Sequence, residues 1–438
     1  MSYRIAFMTL GCKVNQYETE KLQKQCEAAG YIVVPFDGQA DIYVVNTCTV
    51  TNIADRKSRK MLHRGGRLNK NAIVVAMGCF ADAAGESLVD DTTIHVVIGN
   101  SQKNEAFDII DRAAKEKFCN RHEPVLEIAG SEHNVIEART RAYIKVQDGC
   151  NQFCSYCKIP YVRGKLKSRD EEDVYDETVE LAKKGYKEIV LTGIHLSSYG
   201  VDKSEFNTFT RLGGTPLFNL IEKLASVEQI ERIRLGSLEP RIVTEGFISG
   251  LAGIKKVCPH FHLSLQSGCD TTLARMNRKY NTKDYIDACD ILRKYFDAPA
   301  ITTDIIVGFP GETEEEFEQT LQYVKAVRFA AVHVFKYSRR DGTRAAVMPD
   351  QVDEVIKGER SNRLIECTDS LTHDYITGMI GKKQLCLVEE KTEINGEMYW
   401  VGHNERYVRL GLKADGTDNI SNKVVEIIPC GILDNILI

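Results

Sequence analysis

The sequence predicts an α/β chain in three parts: an N-terminal parallel-sheet α/β domain, a partial (βα)6 TIM-type barrel and a small C-terminal β-barrel. Three observations carry this. Short apolar β-rich runs alternate with helical stretches through residues 1–118. The alternation resumes with longer units from residue 139. Residues 375–438 are β-rich, with turn residues between the runs. A chain of 438 residues suits about three such parts, and 43% hydrophobic residues supply their cores, which excludes a disordered chain.

In the first part, runs at 3–10, 42–47, 73–78 and 94–98 read as strands. Residues 18–29 read as a helix with Leu22, Cys26 and Ala29 on one stripe, stopped by Gly30. That is a βαβ pattern and hence a parallel sheet. Cys12, Cys48 and Cys79 each fall just after one of the first three strands. In a parallel sheet these are all carboxyl ends, the edge where ligands bind. Gly11 and Gly78 precede two of the thiols and leave room for a bulky group. Buried structural thiols are common, but they have no reason to take the same edge three times. The pattern favours a three-Cys iron–sulfur site.

Residues 119–138 are polar and mixed and read as a linker. The second part spans 139–372, with strands expected at 142–148, 188–193, 232–238, 260–266, 301–308 and 330–337. Clear helices lie at 174–184, closed by Gly185, and at 314–327, after Gly308-Phe309-Pro310-Gly311. Six βα units make a partial barrel whose site lies at the carboxyl ends of its strands. Cys150, Cys154 and Cys157 follow the first of these strands. Three thiols at this spacing can hold three corners of a 4Fe–4S cube and leave the fourth iron open for chemistry. A zinc knuckle wants a fourth Cys or His in register, and none follows before His195. The later strand ends are polar: Thr192-Gly193-Ile194-His195, Ser237-Leu238-Glu239, Ser264-Leu265-Gln266, and Thr303-Asp304 inside the fifth strand.

The third part, 375–438, has β-rich runs at 383–388, 398–402, 407–410 and 423–428. Asn395-Gly396 and Asp415-Gly416 mark turns, a style near OB-type nucleic-acid modules. Its seven Lys/Arg against nine Asp/Glu give no net basic charge, but Arg406, Tyr407 and Arg409 form a local patch. A stronger basic run lies at 54–71, where Arg56, Lys57, Arg59, Lys60, Arg64, Arg67 and Lys70 face one acid, Asp55. On a chain of net charge −5, such a face suits a large anionic partner at one surface. No apolar stretch approaches the ~18 residues of a membrane span, and the N-terminus reads as a strand rather than a leader. A cytoplasmic protein is expected, with its fourteen Cys as metal ligands and buried thiols rather than disulfides.

The Cx3Cx2C run, with Tyr156 before its last Cys, resembles the radical S-adenosylmethionine (SAM) enzymes. With the second three-Cys set and the terminal β-barrel, the whole chain resembles the methylthiotransferase family, whose last part is an RNA-binding TRAM domain. Cys12-Lys13-Val14-Asn15 and Thr192-Gly193-Ile194-His195-Leu196-Ser197-Ser198-Tyr199-Gly200 resemble the branch that acts on threonylcarbamoyladenosine in tRNA. Lys158 departs from the family, where an aliphatic residue is commoner.

The resemblance implies two 4Fe–4S clusters. SAM would bind at the open iron of the Cys150, Cys154 and Cys157 cluster and split under reduction to a 5′-deoxyadenosyl radical that takes hydrogen from C2 of the adenine. The Cys12, Cys48 and Cys79 cluster would present sulfur, and a second SAM the methyl group. Thr192 and Gly193 would hold the SAM amine and Glu239 or Gln266 its ribose hydroxyls, with Tyr156, Ser237, Ser264 and Asp304 completing the site. Arg56, Arg59, Lys60, Arg64, Arg406 and Arg409 would face tRNA. External electron and sulfur donors are required. Rival readings are the same chemistry on isopentenyladenosine tRNA or a ribosomal protein, and a non-catalytic iron–sulfur RNA-binding protein. The last explains the Cys and the basic run but not the barrel motifs.

Overall fold

Five parallel strands form the first sheet, in the order β2 (Ile32–Val34), β1 (Arg4–Thr9), β3 (Ile42–Thr47), β4 (Ile73–Gly78) and β5 (Val96–Ile98). In this computed structural model, residues 3–119, 140–203, 212–414, 416 and 418–438 are described. The expected linker lies outside them apart from Cys119. β3 and β4 are buried throughout, because helices cover both faces of the sheet. Tyr43, Val45, Val74 and Ala76 pack on the side of α2 (Asn52–Leu68). Ile42, Val44, Ile73 and Val75 pack on the side of α1 (Lys13–Ala28) and helix Ala106–Phe118. Two-sided burial is why these strands read as continuous apolar runs.

Helix α1 begins at Lys13, five residues before the sequence reading placed it. Its first turns bury Asn15, Glu18 and Thr19, polar residues that face the sheet edge and the next domain. A reading based on apolar periodicity starts only at Leu22. The edge strand β2, three residues long, also escaped that reading.

Among its described residues the second part has six parallel strands: β6 (Arg141–Asp148), β8 (Glu188–Gly193), β9 (Arg232–Leu235), β10 (His260–His262), β11 (Ala300–Val307) and β12 (Ala331–Lys336). A short antiparallel strand, β7 (Lys167–Ser168), lies outside β6. The third and fourth strands stop earlier than expected. Single bridges, Leu238↔Leu263 and Gln266↔Ile305, then carry the pairing, and at Gln266 a positive φ of 74° turns the chain out of the ladder. Among the described residues β12 does not pair with β6, so the barrel is open on one side. Alternation along each strand sends Ile144, Val146, Ile189, Leu191, Ile233 and Phe261 outward into the helix-covered core. The intervening residues line the lumen: Arg141, Tyr143, Lys145, Gln147, Glu188, Thr192, Arg234, His260, His262 and Asp304.

Helix Glu354–Thr377 leads to a sheet, antiparallel except for the parallel pair β15–β18, in the order β16 (Val424–Ile427), β13 (Gln384–Ile394), β14 (Glu397–His403), β15 (Arg409–Lys413), β18 (Ile436–Leu437) and β17 (Ile432–Leu433). The strand expected at 407–410 begins at Arg409. Tyr407 has φ +63° in a turn closed by Tyr407 N–H donating to Asn404 O. This sheet caps the amino ends of the barrel strands. Arg232 donates to Leu385 O at 2.7 Å, Arg234 to Glu405 O at 2.8 Å, and Arg141 to Glu389 at 2.5 Å. Among the described residues no helix is long and apolar enough to cross a membrane.

Candidate active site

Cys12, Cys48 and Cys79 lie at the carboxyl ends of three adjacent strands. The register pairs Thr9 with Asn46 and Thr47 with Gly78, so those ends are level. Two glycines allow the close approach. At Gly11, φ +97°, a Cβ would sit 2.7 Å from both Cβ and Sγ of Cys48. At Gly78, φ +99°, it would sit 2.9 Å from Thr47 O. Buried Asn15 ties the two loops, donating to Leu10 O at 2.8 Å and Thr47 O at 2.9 Å. Cys12 caps the amino end of α1 and Cys79 opens helix α3 (Cys79–Ala84). Helix amino ends favour thiolates. Burial pushes the Cys48 thiol up to about 11, and nearby Cys79 and Cys12 add to this. Metal-free Cys48 is therefore held as the thiol, and iron would displace its proton.

Cys150, Cys154 and Cys157 occupy the loop after β6, which the barrel holds from several sides. Ser155 N–H donates to Met276 O at 3.0 Å, Ala345 N–H to Ser155 O at 2.8 Å, and Asn277 to Phe153 O at 2.9 Å. A Cβ on Gly149 would meet Lys165 O at 2.0 Å. Burial lifts Cys150 to about 11, with Cys154 adding to it. The half-buried Arg278 donates to Cys154 Sγ at 3.1 Å. Tyr156 packs edge-on against Phe309. Among the described residues no three His, Cys, Asp or Glu side chains converge as ligands of one metal ion. The donor sets, three thiols each, suit a polynuclear cluster that binds its thiolates at separate irons.

The barrel-end residues gather around this loop. Thr192 is buried beside Gly193, where a Cβ would lie 2.8 Å from Gln147 Oε1. The hydroxyls of Ser237 and Ser264 are 3.0 Å apart. Glu239 is buried. Desolvation raises its carboxyl, but Arg241 and His195 (Nε2 to Oε2, 3.0 Å) outweigh this and hold it at about 2. Asp304 faces His262 at 3.3 Å, and Gln266 is buried on the turn it creates.

Sequence reasoning missed the clasp between the two thiol sets. Arg163, six residues after Cys157, has a side chain only 1% exposed. It donates to Cys79 Sγ at 3.3 Å, Asn15 Oδ1 at 2.6 Å, Glu18 Oε1 at 3.0 Å and Asp148 Oδ1 at 2.9 Å. Lys103 and Lys145 also pair with Glu18. Burial opposes ionisation of Glu18, but these cations win and hold its carboxyl far below the usual range. A second clasp joins Arg340 to Thr49 at 2.6 Å and Asp55 at 2.7 Å. The N-terminal sheet edge thus faces the barrel mouth.

The basic run forms α2, capped by Thr51, which accepts from Ala54 N–H. Met61, Leu62 and Gly65 are buried, while Arg56, Lys57, Arg59, Lys60 and Arg67 are exposed. Arg64 pairs with Asp37 at 2.6 Å. The patch expected at 406–409 requires correction. Arg406 donates to Asp297 O and Ala298 O of the barrel, at 2.8 and 3.0 Å. The Tyr407 ring stacks on His403 and lies near the guanidinium groups of Arg141 and Arg234. Both serve the domain contact; Arg409 remains exposed beside Glu390.

Residues 144–324 match the Radical SAM superfamily, and residues 4–99 match the family described as uncharacterized protein family UPF0004. The chain is 40% identical over 428 residues to the threonylcarbamoyladenosine tRNA methylthiotransferase MtaB of Bacillus subtilis (strain 168), covering 97% of this chain and 93% of that protein. It is 36% identical to the MtaB of Aquifex aeolicus (strain VF5), covering 93% and 98%. It is 38% identical to a tRNA-2-methylthio-N(6)-dimethylallyladenosine synthase of Thermoanaerobacter sp. (strain X514), covering 87% and 81%. In fold it is similar to the radical SAM methyltransferase TsrM from Kitasatospora setae, with a TM-score of 0.57 at 16% identity over 79% of this chain and 77% of that one. Identity at this level across nearly the full length, together with two thiol sets at facing strand ends, shows that the chain belongs to the methylthiotransferase family of radical SAM enzymes.

Proposed function

We propose that the protein inserts a methylthio group at C2 of N6-threonylcarbamoyladenosine next to the anticodon of tRNA. The observation that carries this is the pair of three-Cys sets on facing strand ends, bridged by Arg163. Cys150, Cys154 and Cys157 hold one 4Fe–4S cluster, and Cys12, Cys48 and Cys79 the other. When bound, the first cluster with SAM supplies hydrogen abstraction, and the second supplies sulfur. The Thr192–Gly193 strand end, Ser237, Ser264, Glu239, Gln266 and Asp304 bind and orient SAM, with Tyr156 in the Cys loop itself. Arg163 and Arg340 hold the two mouths together, which excludes water and fixes the separation of the reacting groups.

Exposed Arg56, Arg59 and Lys60 sit on the helix that follows Cys48 and reach tRNA phosphates near the mouth. The reaction draws on an external electron donor and a sulfur donor, in the cytoplasm, where tRNA is modified. The test is mass spectrometry of tRNA nucleosides from cells with and without the gene. Loss of 2-methylthio-N6-threonylcarbamoyladenosine on deletion supports the reading. Loss of the 2-methylthio isopentenyladenosine nucleoside alone overturns the choice of substrate.

A further inference from the structure

Lys13 follows Cys12 directly, yet its side chain leaves the N-terminal domain and reaches the barrel lumen. Its Nζ lies 6.0 Å from the centre of the Tyr143 ring and 5.9 Å from that of Tyr407, which forms the floor. Among the described residues no carboxylate pairs with it. The carboxylate whose field it feels, Glu188, is already held by Arg234 at 2.8 Å and Arg141 at 3.2 Å, with Arg232 at 3.7 Å. The other carboxylate at this level, Glu389, is held by Arg141 and by His403, each at 2.5 Å. Four cations (Lys13, Arg141, Arg232 and Arg234) therefore surround two carboxylates. Asp304 lies higher in the lumen and faces His262. Buried His260 is driven toward its neutral form by burial and by the positive charge of Arg234 and Lys13.

Withdrawn charges are stable only when paired; Arg141, Arg232 and Arg234 have carboxylate or carbonyl partners, and among the described residues Lys13 has neither. The terminal domain closes the floor of the lumen, which keeps the phosphates of a folded RNA outside. A carboxylate on a flexible arm attached to the base can enter. We infer that Lys13 recognises the carboxylate of the N6 substituent, and so selects a carboxylate-bearing adenosine over one with an uncharged substituent. This rests on the substrate reading above. Lys13 is a specificity residue placed one position from a cluster ligand, so that recognition of the arm brings the ring to the sulfur-bearing site.

The test compares anticodon stem-loop RNAs carrying N6-threonylcarbamoyladenosine or its methyl ester, using wild type, Lys13→Met and Lys13→Arg. Wild type is expected to prefer the free acid by about 10- to 100-fold in kcat/KM, the worth of one charge-assisted contact, with the difference in KM. In Lys13→Met the preference should fall to within about threefold, and Lys13→Arg should keep most of it. Iron content of all three, about eight per chain, reports that the clusters load. An unchanged preference in Lys13→Met overturns the inference and leaves the substrate reading intact. No product from either RNA with wild type overturns the substrate reading, and the inference with it.

Discussion

Replacing Arg163 with Ala removes the group that joins the two domains at their thiol sites. Its guanidinium makes ion pairs with Glu18 and Asp148 and donates to the Asn15 amide oxygen and Cys79 Sγ, all in a side chain 1% exposed. Breaking a buried ion pair costs about 3–5 kcal/mol when one partner is left alone. Here Lys103 and Lys145 remain on Glu18, and Lys145 also reaches Asp148 at 3.0 Å, so the lower end applies, about 3 kcal/mol. With an unfolding entropy of about 2.1 cal/mol/K per residue over the 438 residues, Tm should fall by about 3 °C if the chain melts as one unit. Arg163→Lys keeps the charge but not the fork, so it should recover less than half of the loss. Calorimetry of the anaerobically reconstituted protein measures both. An Arg163→Ala variant melting within about 1 °C of wild type would refute the claim that this network clasps the domains.

Three further outcomes follow from the geometry. Gly11→Ala places a methyl 2.7 Å from Cys48 Sγ at φ +97°, so about four irons should be lost while SAM cleavage persists; full iron content would contradict the close approach. Glu188 is fully buried, and burial opposes its ionisation, but Arg234, Arg141 and Arg232 hold its carboxyl at about 2 against an ordinary 4.5. A depressed carboxyl stabilises above its unfolded pKa and loses that contribution as pH falls through the folded one. Urea midpoints should therefore drop between pH 4.5 and 2, with on the order of 3 kcal/mol from this group, and a Glu188→Gln profile that runs parallel to wild type would count against it. Changing exposed Arg56, Arg59 and Lys60 together to Ala should flatten the slope of log affinity for tRNA against log salt by about two to three, weakening all tRNAs alike; an unchanged slope would make α2 an ordinary solvated helix.

The thiol sets were legible because their chemistry is written locally. Three Cys within eight residues announce themselves, and Cys12, Cys48 and Cys79 each end an apolar run that reads as a strand. The clasp was not legible, since Arg163 finds Glu18 across 145 positions and nothing near either residue marks the pair. Lys13 and Glu18 lie in the first two turns of a helix whose polar residues are half-buried or buried against a neighbouring domain, which periodicity treats as surface. Arg406 and Tyr407 misled for the converse reason. A basic and aromatic pair looks the same whether it meets RNA or the underside of a barrel. At Gln266 the positive φ of 74° turns the chain out of the ladder, a backbone choice that apolar patterning does not show.

Iron content and SAM cleavage, measured together on two triple variants, test the central claim most directly. Wild type should hold about eight irons. Replacing Cys150, Cys154 and Cys157 with Ala should leave about four and abolish formation of 5′-deoxyadenosine under reduction. Replacing Cys12, Cys48 and Cys79 should also leave about four, with 5′-deoxyadenosine still formed and no methylthio product. 5′-Deoxyadenosine from the first variant, or unchanged iron in the second, would contradict the division of radical generation and sulfur delivery between the two sites.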